Sequence, residues 1–229
     1  MNCGEVMDKV LNAVRDIALK YHSVNKVVLF GSRARGDNTD KSDYDIAVFS
    51  SGMDVAEKIS FSEEIDKIKT LNKIDLVFIK ERHTETELYL NIKNDGVIIM
   101  DKFQIKLNNY RNALARLHEA IEEEQSTKSL AVRDGAIKRF EFTAELAWKT
   151  VCEYLLSEGV SDINSPKRVM REAFINNIVE DGEGWIQILD DRNSTAHIYD
   201  EEDAEEVYQR ITSRHIILFN ELSEKLSHL

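Results

Sequence analysis

Two clusters of residues in this chain have the types and spacing that chemistry needs. The first is Gly31-Ser32-Arg33-Ala34-Arg35-Gly36 followed by Ser42-Asp43-Tyr44-Asp45, led in by the apolar run Lys26 to Phe30. Glycine permits a tight turn after a strand, and the serine behind it can offer a hydroxyl and a backbone N–H to a phosphate at a helix N-terminus. Carboxylates at positions i and i+2 of a strand point to one face, which presents two hard oxygen ligands to magnesium beside a phosphate. The combination points to nucleotide chemistry. The Gly-Lys-Ser/Thr ending of a P-loop is absent, so ordinary ATPase chemistry is not implied. The plainer reading is a polar turn followed by two acids at a strand start.

The second cluster is Asp190-Asp191-Arg192-Asn193-Ser194-Thr195-Ala196-His197-Ile198-Tyr199-Asp200. At about 100° per helical residue, Arg192 and Tyr199 share a face and His197 lies about 140° away. A straight helix would split them, so the helix is expected to end near His197, or the cleft to be completed by a second subunit. The plainer reading is a helix terminus with His197 buried and Arg192 paired to Asp190 or Asp200.

The elements that position these clusters follow from periodicity. Val6, Val10, Val14, Ile17 and Leu19 fall on one helical stripe over residues 4–21. Lys26 to Phe30, Tyr44 to Phe49, Ile74 to Ile79 and Val97 to Met100 read as strands. Val55, Ile59, Ile65 and Ile68 mark an amphipathic helix between the second and third, and Asn94-Asp95-Gly96 is a turn or helix-end signal. From Phe103 onward only helical spacing occurs: Leu107 to Ile121, Ile137 to Leu155 stopping at Gly159, a helix opened by Ser165-Pro166, another from Trp185, and a last one along Val207, Ile211, Leu218, Leu222 and Leu226. The expected architecture is an α/β domain with a small mixed sheet over residues 1–101, followed by an all-α bundle over residues 102–229.

Composition sets outer bounds. With 229 residues, 42% hydrophobic and 31% charged, the chain can bury a core in each half and is not a disordered polymer. A formal net charge of −12 speaks against an extensive basic grip on nucleic acid. The acidity is heavier in the second half, with 16 Lys+Arg against 24 Asp+Glu after residue 101. No apolar run reaches membrane-spanning length and no basic secretory leader opens the chain, so a cytoplasmic location is expected. Cys3 and Cys152 have no nearby cysteine partner and read as reduced thiols. Lys167, Arg168 and Arg171 form a basic patch whose plain reading is a solvated helix face, and Trp148 and Trp185 read as core.

With ten residues between Ser32 and Asp43, the first cluster resembles the DNA polymerase β-type nucleotidyltransferase superfamily, in its short form the minimal (MntA-like) nucleotidyltransferases. That superfamily uses a third carboxylate on a neighbouring strand. Asp75, a lone acid in the apolar run Ile74 to Ile79, stands where the family would place it, and a carboxylate there is costly unless paired or bound to metal. The resemblance implies that Asp43 and Asp45 bind the Mg2+ ions carrying ATP, with Asp75 completing the metal site and helping to activate the attacking hydroxyl. Gly31 and Ser32 would bind the nucleotide, and Arg33 or Arg35 would neutralise phosphate, with the choice between them open.

The second cluster resembles the HEPN superfamily, whose Arg-x-x-x-x-His core serves metal-independent RNA cleavage across a dimer cleft. The branch it is most similar to is the nucleotidyltransferase substrate-binding (HepT-like) proteins, through Arg139-Phe140-Glu141-Phe142, Glu145-Leu146-Ala147-Trp148-Lys149, Ser165-Pro166-Lys167, Arg171-Glu172-Ala173, Trp185, and Arg192-Asn193 with His197-x-Tyr199. The resemblance implies Arg192 and His197 as catalytic residues, Asn193 as their support, and a homodimer through the helical half. In related toxin–antitoxin pairs the nucleotidyltransferase transfers AMP to the tyrosine of this motif, here Tyr199. The expected function is therefore magnesium-dependent transfer of AMP from ATP to Tyr199 of the same chain or of a partner HEPN domain. The alternatives are a ribonuclease acting on RNA and regulated by the nucleotidyltransferase half, a small-molecule nucleotidyltransferase similar to the aminoglycoside-modifying enzymes, and a non-catalytic binding module.

Overall fold

In the N-terminal half, four short and largely apolar runs form a sheet that is covered on both faces. The computed structural model describes residues 7–80, 86–195 and 200–229. Its strands are β1 (Val24–Phe30), β2 (Tyr44–Ser50), β3 (Ile74–Lys80) and β4 (Val97–Asp101), in the spatial order β3-β2-β1-β4. β1 runs antiparallel to β2 and β4, and β2 runs parallel to β3. The sheet is therefore mixed. The parallel pair requires a crossover, which is supplied by α3 (Val55–Asp66).

One face carries Val27, Leu29, Tyr44, Ile46 and Val48, packed with Leu11, Val14 and Ile17 of α1 (Lys9–Ala18) and with Phe61 and Ile65 of α3. Complete burial of each such side chain favours folding by about 1.5–3 kcal/mol. The other face carries Val28, Ala47 and Ile79 against Ile92 of α4 (Glu87–Asp95), with Phe30, Phe49 and Tyr89 at its margin. The buried stripe of α3 is Phe61 and Ile65; Val55 and Ile59, expected on the apolar face, are exposed. Asp8 caps α1 by accepting from the Leu11 N–H at 2.9 Å, and its second oxygen accepts from the Tyr44 hydroxyl at 2.5 Å. That bond ties the first residue of β2 to the start of α1. Burial, followed by this bond, pushes the Tyr44 phenol up to about 12.

Every regular element among the described residues of the C-terminal half is a helix: α5 (Lys102–Thr127), α6 (Leu130–Ser157), α7 (Pro166–Ile175), α8 (Gly182–Ser194), α9 (Glu201–Arg210), a π-helical turn (Ile211–His215) and α10 (Ile216–Ser227). Tyr110, Phe140, Trp185 and Phe219 are fully buried at its centre, and the Tyr110 hydroxyl donates to the Phe219 carbonyl at 2.6 Å. Ser165 and Pro166 open α7 at its cap and first position, where proline's missing N–H costs nothing. Trp148, unlike Trp185, is only half-buried.

By its contacts the chain divides into two units, one comprising Met1–Lys102 with Leu156–Gly159 and the other Phe103–Leu155 with Val160–Leu229. Cys152 is a free thiol; Cys3 lies outside the described residues. Among the described residues no helix is long and apolar enough to cross a membrane.

Candidate functional site

The register of the sheet brings the first cluster together. Phe30 pairs with Asp45, and Asp45 pairs with Asp75. Paired residues on adjacent strands share a face, so the two carboxylates stand side by side on the face that α4 covers. Asp43 immediately precedes β2, and its Oδ1 accepts the Lys73 backbone N–H at 3.2 Å. Burial first, and then the negative charges of Asp75 and Asp43, raise the Asp45 carboxyl above the usual carboxylate range, while Arg35 opposes the shift. Asp43 and Asp75 thus both act electrostatically on Asp45.

Gly31 closes the site from the β1 side. It has φ 72°, in the left-handed region that favours glycine. A Cβ at this position would collide with the Asp45 carboxylate at Oδ2. Glycine is required here twice over, once by its torsion and once by the approach of an acid. Gly31 opens the short helix α2 (Gly31–Arg35), which contains Ser32 and ends at Gly36 with φ 79°.

The two arginines of α2 have different surroundings. Arg33 donates from Nε and Nη2 to the Ser42 carbonyl at 3.0 and 2.8 Å, and its guanidinium lies 3.9 Å from the centre of the Tyr44 ring. It clamps the connector leading to Asp43. Arg35 is exposed, pairs with Asp37 at 3.2 Å, and is the cation that acts on Asp45.

Three carboxylates are the hard oxygen donors that magnesium prefers. As placed, Asp75 Oδ1 is held by Lys73 Nζ at 2.5 Å. Among the described residues no three His, Cys, Asp or Glu side chains stand close enough together to hold one metal ion. The donor type is that of a divalent-ion site, but as placed the three carboxylates are not gathered around one position.

The second cluster is partly described. α8 ends at Ser194 with Thr195 as its cap, so the regular helix stops ahead of His197. His197 and Tyr199 lie outside the described residues. Arg192 pairs with neither Asp190 nor Asp200: its Nη2 donates to Glu145 Oε2 of α6 at 2.9 Å and its Nη1 to Asn193 Oδ1 at 3.0 Å. Asp190 is instead paired with Lys167 at 2.5 Å. Glu145 also accepts from Trp148 Nε1 at 3.1 Å and pairs with Lys149 at 2.8 Å. Burial opposes its ionisation, but the bonds from Lys149 and Trp148 and the charge of Arg192 outweigh this, and its carboxyl is held below the usual range.

Asp191 turns inward. His215 Nε2 lies 2.7 Å from its Oδ2, Arg210 donates to both oxygens at 3.0 and 3.1 Å, and Gln187 donates at 2.9 Å. Burial alone would raise this carboxyl, yet the three donors bring it down to about 2.

Comparison with known proteins follows the same division. The family described as "Nucleotidyltransferase substrate binding protein like" matches residues 105–228, and the family described as "Polymerase beta, Nucleotidyltransferase" matches residues 12–105. The chain belongs to both families. A Methanocaldococcus jannaschii protein whose name proposes a protein adenylyltransferase is 36% identical over 87 residues, covering 33% of this chain and 84% of that protein. A Haemophilus influenzae protein whose name proposes a ribonuclease, HepT, is 37% identical over 81 residues, covering 34% of this chain. This chain spans 56% of that relative's length. A solved Haemophilus influenzae structure, described as the fold of a substrate binding domain of a nucleotidyltransferase, is 29% identical and covers 53% of this chain and 98% of its own, with a TM-score of 0.49.

In the half that matches the nucleotidyltransferase family, sequence reasoning missed Lys73. Its main chain bonds Asp43 and Tyr44 and its ammonium bonds Asp75. The signal was its position two residues before Asp75, which on an extended strand gives both side chains the same face. In the substrate-binding half, Glu145 had been noted only as part of a family match, and its contact with Arg192 joins residues 47 positions apart.

Proposed function

We propose that the N-terminal unit transfers AMP from ATP, with Mg2+, to a protein hydroxyl, and that Tyr199 of this chain or of a partner's helical domain is the acceptor. The observation that carries this reading is the row Phe30–Asp45–Asp75 with Gly31 set against the Asp45 carboxylate. Asp43, Asp45 and Asp75 would hold the metal, which supplies charge neutralisation for the attacking and leaving oxygens. Gly31 and Ser32 would bind the triphosphate at the turn, and Arg35 would be the cation that meets it, because Arg33 is committed to the Ser42 carbonyl. The acceptor phenol oxygen attacks the α-phosphorus, its proton passes to the Asp75 carboxylate, and the bond to the β-phosphate bridging oxygen breaks to release pyrophosphate. The pairing of an adenylyltransferase-like unit with a HepT-like domain supports a toxin–antitoxin role in the cytoplasm, with homodimers formed through the helical half.

The test uses the full chain with ATP labelled at its α-phosphate, with and without magnesium. Label should appear on the protein, and it should disappear in Asp45→Ala and in Tyr199→Phe. Label on free small molecules in place of protein would overturn the acceptor assignment.

The match to a relative whose name proposes a ribonuclease favours a second activity. In it Arg192 holds a phosphate of RNA, positioned by Glu145 and Asn193, and His197 moves the proton. RNA cleavage by an Asp43→Ala chain that is lost on adding His197→Ala supports this activity; equal behaviour of the two chains argues against it.

A further inference from the structure

Lys73 belongs to neither the carboxylate set nor the glycine–serine turn, yet it touches two of the three acids, Asp43 and Asp75. Its N–H donates to Asp43 Oδ1 at 3.2 Å and its carbonyl accepts from the Tyr44 N–H at 2.9 Å, so its backbone is pinned beside β2. Its ammonium lies 2.5 Å from Asp75 Oδ1. The Lys73 side chain is 70% exposed and that of Asp75 42% exposed. An ion pair this open contributes little to stability and its lysine is free to swing.

Asp45 feels the negative charges of Asp75 and Asp43 and the positive charge of Arg35, which is itself paired with Asp37, while Lys73 pairs with Asp75. A divalent ion that recruits Asp75 has to displace the ammonium from Oδ1 or share the carboxylate with it. A triphosphate entering with the ion brings more negative charge to a face already short of cations. The displaced ammonium, with three donors on a flexible stem, suits phosphate oxygens.

We propose that Lys73 alternates between two anions: it occupies Asp75 while the site is free of nucleotide, competing with a divalent metal, and moves to the triphosphate when metal and nucleotide bind together. The inference rests on the nucleotidyltransferase site described above. Its consequence is that metal alone is held weakly and enters with the nucleotide.

The test compares the full wild-type chain with Lys73→Met, Lys73→Arg and Asp45→Asn. Nucleotide-free metal binding is read by electron paramagnetic resonance of added Mn2+, and nucleotide binding by calorimetry with α,β-methylene-ATP and magnesium, which cannot transfer AMP. Lys73→Met should bind Mn2+ more tightly and the ATP analogue more weakly, each by roughly two- to fivefold, and Lys73→Arg should return both towards wild type. Opposite signs distinguish alternation from a structural role, which would weaken both. Unchanged or weaker Mn2+ binding, or an unchanged analogue affinity, in Lys73→Met overturns the proposal. Asp45→Asn should lose Mn2+ binding; if it does so while Lys73→Met behaves as wild type, only the role of Lys73 fails. If Asp45→Asn keeps wild-type binding, the carboxylate site itself fails.

Discussion

Gly31→Ala should destabilise the N-terminal unit through two separable effects, and a second substitution tells them apart. The first effect is torsional: at φ 72° an alanine suffers the left-handed penalty of about 1–2 kcal/mol. The second is steric, because the added methyl meets Asp45 Oδ2 and Cγ, and overpacking of this kind costs about 1–3 kcal/mol. The sum for Gly31→Ala is therefore about 2–5 kcal/mol. In an Asp45→Ala background the carboxylate is gone, and the added cost of Gly31→Ala should fall to the torsional part. Gly36 is the control: its φ is 79° and a Cβ there meets nothing within 4 Å, so Gly36→Ala should cost about 1–2 kcal/mol in either background. Trp148 and Trp185 both lie in the helical half, so tryptophan fluorescence would not report on this sheet. Hydrogen exchange of residues 24–30 and 44–50, measured by mass spectrometry on the full chain, reads its opening free energy directly. Equal costs of Gly31→Ala with and without the Asp45 carboxylate would refute the close approach on which the site geometry depends.

Three further outcomes follow from the same geometry. Asp45→Asn should abolish nucleotidyl transfer while stabilising the nucleotide-free sheet at neutral pH by about 0.2–1 kcal/mol, the scale of a like-charge cross-strand pair; because the Asp45 carboxyl is raised, the wild-type penalty is absent at low pH and develops as pH rises from the unfolded carboxylate range through the folded value, so the gain should vanish in acid. The helical unit should lose about 2 kcal/mol as pH falls from about 4 to 2, since Asp191 is depressed to about 2 and its contribution is present above the unfolded pKa and lost on protonation; Trp185, on the same helix, reports the transition by fluorescence, and Asp191→Asn should remove that acid dependence. Arg33→Gln should lower the stability of the connector with little change in ATP affinity, whereas Arg35→Gln should raise the KM for ATP with unchanged stability, measured by hydrogen exchange and steady-state kinetics.

Much of the N-terminal fold was legible because a sheet covered on both faces leaves largely apolar runs, and because the acids at 45 and 75 stand inside such runs. The helix α4 escaped notice for the opposite reason: Leu88 and Leu90 are exposed and only Ile92 is buried, so no stripe marks it. Val55 and Ile59 misled because apolar residues at helical spacing say nothing about which of two candidate stripes meets the sheet; Phe61 and Ile65 do. That Arg33 and Arg35 have different surroundings was not legible, because the turn folds the Ser42 carbonyl back onto Arg33 and not onto its neighbour. Of the acids beside Arg192, Asp191 turned out to be the buried anchor of His215 and Arg210, while the partner of Arg192 came from another helix. Sequence proximity suggested local pairing, and tertiary packing supplied Glu145 instead.

On the proposed reading, the N-terminal unit transfers AMP to Tyr199 of this chain or of a partner's helical domain. Intact-mass analysis of the purified full chain before and after incubation with ATP and magnesium tests it most directly. A gain of one or more AMP units is expected, located by peptide mapping to Tyr199 and missing from Asp43→Ala, Asp45→Ala and Tyr199→Phe. No gain in mass, or an equal gain in Tyr199→Phe, would contradict it.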